Sequence, residues 1–139
     1  MKKVYLFLFL LMALSQTVNA RVGGIIVVAN TNNTPMVLTK QEVKNLFMGG
    51  ALEVEFQPVV LPNSSPTRVI FNTKVLGLTE SRVQSYWAQM RFTGRKKPPT
   101  QVSSQLELIE FLIDTPYSIG YLPKDTPIPD GLTVVYVPQ

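Results

Sequence analysis

The chain has 139 residues, 45% of them hydrophobic and 16% charged, with a formal net charge of +4 and neither cysteine nor histidine. That length suits one domain with a single core. The composition excludes a disordered chain, a disulfide scaffold and any thiolate or imidazole metal centre. It also excludes Cys-His and Ser-His-Asp catalysis, both of which need an imidazole near neutral pH.

Lys2 and Lys3 form a positive start, Val4 to Leu14 is an unbroken apolar run, and Val18-Asn19-Ala20 ends it with small residues. This is the pattern of a secretory leader, and the run is too short to span a bilayer of about 30 Å. The expectation is cleavage after Ala20, with residues 1–20 as leader and 21–139 as the working domain. An uncleaved membrane anchor is the alternative. Without Lys2 and Lys3 the 13 basic residues become 11 against 9 acidic ones. A net charge of +2 argues against a nucleic-acid partner.

Gly24 to Ala29 (GIIVVA) is a β-branched run bounded by Gly and Asn, which predicts a buried strand. Asn30 to Pro35 is a polar loop. Thr39-Lys40-Gln41-Glu42 is a capping box that opens a helix with Val43, Leu46 and Phe47 on one face, and Gly49-Gly50 stops it. Glu53 and Glu55 stand two apart with no acid partner or metal-ligand set, and read as a solvated turn or strand edge. Phe56 to Leu61 predicts a second strand.

Ser65 followed by Pro66 predicts an N-cap and a first helical residue. Val69, Phe71 (or Ile70), Val75 and Leu76 are assigned to the apolar face, and Gly77 to the end. Thr79 caps a third helix with Val83, Tyr86, Trp87 and Met90 at helical spacing. Arg91 to Pro99 (RFTGRKKPP) reads as a basic loop. It is either a docking patch for an acidic partner, a phosphorylated surface or a nucleic acid, or a solvated turn with Trp87 and Phe92 in the core. Ser104 and Glu107 form another capping box before Leu108, Ile109, Phe111, Leu112 and Ile113. Ser118 to Leu122 and Leu132 to Val137 predict two closing strands. Strands alternating with helices predict an α/β three-layer sandwich with a mainly parallel sheet.

Four stretches carry a resemblance. They are Leu38 to Val43 with Leu46 to Gly49; Leu61 to Thr67 before an apolar helix; Tyr86-Trp87-Ala88 with Arg91 to Gly94 and Pro98-Pro99; and Thr115 to Tyr121. Together they resemble the phosphate-binding proteins of bacterial ABC importers, a branch of the type II periplasmic binding proteins. Members have two lobes with the ligand between them, and this chain has room for about one. The resemblance implies a non-enzymatic, periplasmic solute-binding protein. Its implied ligand is inorganic phosphate or a similar oxyanion, and its implied partner an ABC permease or another envelope protein. It brings no cofactor, no metal and no stable membrane insertion after cleavage.

In that family a segment of the form Arg-Ser-Asp-Gly-Ser-Gly-Thr at a helix start holds the phosphate. Leu61 to Thr67 matches it: Ser65 and Thr67 fall on the hydroxyls, Leu61 on the Arg and Pro66 on the second Gly. The implied ligand-binding residues are Ser64, Ser65, Thr67 and Arg68, the last by folding back toward the helix start. A helix start offers unpaired N–H groups and about half a positive charge; the plain alternative is that Ser65 only caps. Two or three charge-assisted hydrogen bonds contribute roughly 1.5–3 kcal/mol each, against an association cost of about 4–15 kcal/mol. One open lobe therefore holds phosphate at about millimolar strength, near −4 kcal/mol. Tighter capture requires a second protein or a homodimer that rebuilds a cleft. An adaptor that keeps the fold without the ligand is the alternative function.

Overall fold

The computed structural model describes residues 23–139, and the expected leader over residues 1–20, with cleavage after Ala20, falls outside the described residues. The elements in chain order are β1 (Ile25–Ala29), α1 (Lys40–Phe47), β2 (Gln57–Val60), α2 (Pro66–Phe71, continued by a π-helical turn over Asn72–Leu76), α3 (Glu80–Thr93), β3 (Thr100–Gln101), α4 (Gln105–Asp114), β4 (Ser118–Pro123) and β5 (Thr133–Tyr136). Among the described residues no helix is long and apolar enough to cross a membrane.

The strands form one open sheet in the order β3-β2-β4-β1-β5. β2 is parallel to β3 and β4, whereas β1 is antiparallel to β4 and β5. Four strands thus share a direction and β1 alone opposes them. The sheet is mixed rather than simply parallel, because a strand buried on both faces reads the same in either direction.

Adjacent residues of β4 show why there are three layers. Successive side chains on a strand point to opposite faces. On one face Gly120 lies so close to α4 that an added Cβ would sit 3.0 Å from the Leu108 side chain. On the other, the Tyr121 ring stacks on Phe71 of α2 at 4.2 Å and 9°, and meets Phe47 of α1 at 6.1 Å. All of Ser118 to Leu122 is buried. Helices therefore cover both faces of the α/β sandwich, as the alternation of elements predicts.

The three capping side chains accept at their helix starts, and the reciprocal bond of a capping box closes at Thr39 but not at Ser104. Thr39 Oγ1 accepts from the Glu42 N–H, and Glu42 Oε2 accepts from the Thr39 N–H at 2.7 Å. Ser104 accepts from the Glu107 N–H, while the Glu107 carboxylate reaches one residue further, to the Ser103 N–H. Thr79 Oγ1 accepts from the Arg82 N–H, and α3 ends at Gly94 in the left-handed conformation.

Three local expectations change. Val69 is exposed; the buried face of α2 is Thr67, Arg68, Phe71, Asn72, Val75 and Leu76. Those positions recur at intervals of one and four and share one side of the helix, which leaves Val69, in the regular α-helical part before the π-helical turn, at the solvent edge of that face. Helix α3 continues through Arg91, Phe92 and Thr93, so Phe92 projects from a helix at 95% exposure while Trp87 is buried. Ile113, assigned to the apolar face of its helix, is exposed. Thr100–Gln101, beyond the loop assigned to Arg91–Pro99, pairs with Val59–Val60 as a short edge strand.

Candidate functional site

The chain leaves β2 toward β3 at one sheet edge and leaves β4 toward β5 at the other. β2 and β4 are parallel neighbours, so their carboxyl ends flank the topological switch point, where open α/β sheets place their ligands. The segment leaving β2 there is Leu61 to Arg68, the stretch implied by the family resemblance. The segment leaving β4 begins with exposed Lys124, whose N–H donates to the Gly24 carbonyl at 2.8 Å. Lys124 stands out only after the topology is known; in the sequence it is one cation in a turn-rich loop.

The turn is built firmly. The Leu61 N–H donates to the Tyr121 hydroxyl at 3.1 Å, and the Leu61 carbonyl accepts from Arg68 Nη1 at 2.8 Å. The Ser65 N–H closes a turn onto the Pro62 carbonyl at 2.9 Å, and Pro66 takes the first helical position. Ser64 is exposed, Ser65 half-buried and Thr67 buried. The Ser65 side chain makes no capping hydrogen bond. Its hydroxyl is therefore not spent on the helix start, contrary to the plain capping alternative.

Arg68 is placed differently from the expectation that it folds back as an oxyanion ligand. It is 5% exposed, and four of its five N–H groups are engaged. Nε and Nη2 fork onto the Glu80 carboxylate, and Nη1 serves both the Leu61 carbonyl and Gln101 Oε1. The physical reason is burial: a guanidinium under the sheet edge needs a carboxylate more than it needs a solvent-facing ligand. Burial by itself raises the Glu80 pKa, but hydrogen bonds from Gln84, Arg68 and Asn72, with the Arg68 charge, hold the carboxyl below its usual range. Arg68 thus braces the turn from behind, while Ser64 and Ser65 line its outer side.

A second feature lies at the opposite end of the strands. An open cleft of about 670 Å³ is bounded by Arg95, Lys96 and Lys97 on one side and by Pro116 and Tyr117 on the other. Glu55 is also on its rim; Glu53 and Glu55 both lie in the exposed bend before β2, as a solvated turn. A smaller space of about 120 Å³ sits behind Arg68, between Phe71 and Trp87.

No family model and no curated protein matches the chain. Among solved structures, the crystal structure of an ABC-type phosphate transport receptor from Vibrio cholerae is similar, with a TM-score of 0.60 and 16% identity. The match covers 84% of this chain and 48% of the receptor, so this chain corresponds to about half of that receptor's length. At this identity the likeness concerns the fold: this α/β domain has the architecture found in part of a phosphate transport receptor.

Proposed function

We propose that this chain is a secreted, non-enzymatic, solute-binding-like domain of the periplasmic-binding-protein type, built as a single lobe. It holds an oxyanion such as inorganic phosphate weakly at the turn after β2. Ser64, Ser65 and Thr67 supply hydroxyls, and the first amides of α2 supply N–H groups. Arg68 belongs to the site through its hold on Leu61 rather than as a direct ligand. The observation that carries this reading is the uncapped Ser65 at the switch point of an α/β sheet. Pro66 removes one donor and no guanidinium faces the anion, so affinity stays near millimolar, about −4 kcal/mol.

The reading is tested by titrating inorganic phosphate into the protein and following amide resonances. Shifts confined to Ser65, Thr67, Arg68 and Lys124 support it. Unmoved resonances up to roughly tens of millimolar phosphate, the range set by that affinity, overturn it.

A second reading is an envelope adaptor that keeps the fold and has lost the ligand. The commitment of Arg68 to Glu80 favours it, since the one cation of the turn is already neutralised. Capture from an envelope extract of a transport permease and no other partner counts against it.

A further inference from the structure

The phosphate reading leaves the 670 Å³ cleft without a role. We propose that this cleft is a docking site for an acidic peptide segment of a partner protein. The two regions are separate: the cleft is lined by Gln57 and Pro58 at the start of β2, whereas the Ser65 turn follows its end.

The cationic wall is arranged in advance. Gly94 ends α3 at φ 66, and Arg95-Lys96-Lys97 then run along the cleft before Pro98-Pro99 stiffens the chain. Lys96 lies across Gly49. A Cβ on Gly49 would come within 2.7 Å of Lys96 Cδ and 3.1 Å of the Trp87 ring, and the Gly49 φ of 88 suits glycine alone. The stem of Lys96 is thereby held while its ammonium stays exposed.

The opposite wall is equally fixed. Tyr117 has φ 58, an uncommon conformation for a bulky residue. Both its backbone groups are tied: its N–H donates to the Asn30 carbonyl and its carbonyl accepts from the Gln57 N–H, each at 2.8 Å. Its ring stands edge-on to Phe56 at 5.9 Å. A strained aromatic held at the mouth of a cleft is the kind of backbone feature that clusters at binding sites.

Charge and size select the occupant. Three cations face the single carboxylate of Glu55, and none of the three is in an ion pair among the described residues. The volume falls in the range of about 300–1,000 Å³ typical of organic ligand sites, far more than an inorganic phosphate fills. A single-stranded nucleic acid would need exposed aromatic faces for its bases. Here Trp87 is 5% and Phe56 6% exposed, which leaves Tyr117 alone. Prolines and one half-buried tyrosine opposite a row of cations suit an extended chain bearing carboxylates.

Trp87 is the only tryptophan, and it lines the cleft, so its fluorescence reports occupancy directly. The probe is a synthetic octaglutamate, compared with octalysine and with an oligothymidylate of equal charge. The expected result is a saturable change in Trp87 emission with octaglutamate and none with octalysine. Its affinity should fall several-fold when salt rises from about 20 mM to about 200 mM, as the screening length shortens. The variant R95Q/K96Q/K97Q alters three exposed side chains and should retain its far-UV circular dichroism while binding at least about tenfold more weakly. Equal binding by that variant, stronger binding of the oligothymidylate, or no response to octaglutamate at low salt overturns the proposal. Phosphate shifts at the Ser65 turn are read separately, so either site can fail without the other.

Discussion

Arg68 and Glu80 meet in a fork: Arg68 Nε donates to Oε2 at 3.1 Å and Nη2 to Oε1 at 2.6 Å. Asn72 donates to the same Oε2 and Gln84 to the same Oε1, so both carboxylate oxygens are shared between two donors. The pair joins α2 to α3 and, through the Leu61 carbonyl, fixes the turn after β2. Replacing Glu80 by Ala strands a guanidinium that is 5% exposed, which should cost about 3–5 kcal/mol. The double variant Arg68→Met with Glu80→Leu should recover at least half of that loss. Urea unfolding of the two variants provides the comparison.

The same pair sets a pH dependence. The folded-state pKa of Glu80 lies below its ordinary 4.5, so in the window between the two values the unfolded chain binds the extra proton. Its stabilisation is therefore complete above about pH 4.5 and disappears as pH falls through the folded value. Urea midpoints measured from about pH 6 down to about pH 3 should decline in the wild type and decline less steeply in Glu80→Gln.

Tyr121 couples the sheet to the turn. Its hydroxyl accepts from the Leu61 N–H, and Leu61 is 3% exposed. Tyr121→Phe leaves that donor buried without a partner, at an expected cost of about 1–3 kcal/mol. Burial pushes the phenol well above its ordinary 10.0. The folded state therefore favours the neutral phenol, and this contribution is present below pH 10 and lost as pH rises beyond it. Above about pH 10 the wild type should lose its advantage over Tyr121→Phe, as read by thermal melts.

Gly120 is a packing glycine. Its absent Cβ leaves room for Leu108, which would otherwise be 3.0 Å away. Gly120→Ala should destabilise by about 1–3 kcal/mol through overpacking. Adding Leu108→Ala should make the double variant more stable than the sum of the two single losses, because the two changes share one space. A double-mutant cycle in urea measures the coupling; strict additivity would show that the contact is not what excludes the methyl group.

Ser65 separates binding from stability. Because its side chain caps nothing, Ser65→Ala should change stability by less than about 0.5 kcal/mol, whereas Thr79→Ala, at a working cap, should cost about 1 kcal/mol. The phosphate-dependent shifts at Thr67 and Arg68 should weaken in Ser65→Ala. A loss of stability equal to that of Thr79→Ala would return Ser65 to the role of an ordinary cap.

Local rules that act over three or four residues were legible in the chain itself. The capping box at Thr39, the N-cap at Ser104, the stop at Gly77 and the buried run Ile25–Ala29 follow from hydrogen-bond geometry and side-chain period, which neighbours in sequence carry completely. Three features lay beyond such rules. The direction of β1 depends on which strands flank it. The exposure of Val69 depends on which side of α2 packs against the sheet, and the polar Thr67 and Arg68 on that side hide it from any apolar pattern. The fate of Arg68 depends on Glu80, twelve residues away and on another helix.

The amino-acid order by itself determined the α/β class, most element boundaries and the hydroxyl-rich turn at Ser64 to Thr67, because each is written in short-range propensity. Tertiary structure decided that Arg68 faces inward, that Tyr121 holds Leu61, and that Lys96 and Tyr117 line one cleft. Those outcomes turn on the cost of burying a charge or a polar group, and that cost is undefined until distant segments close over it.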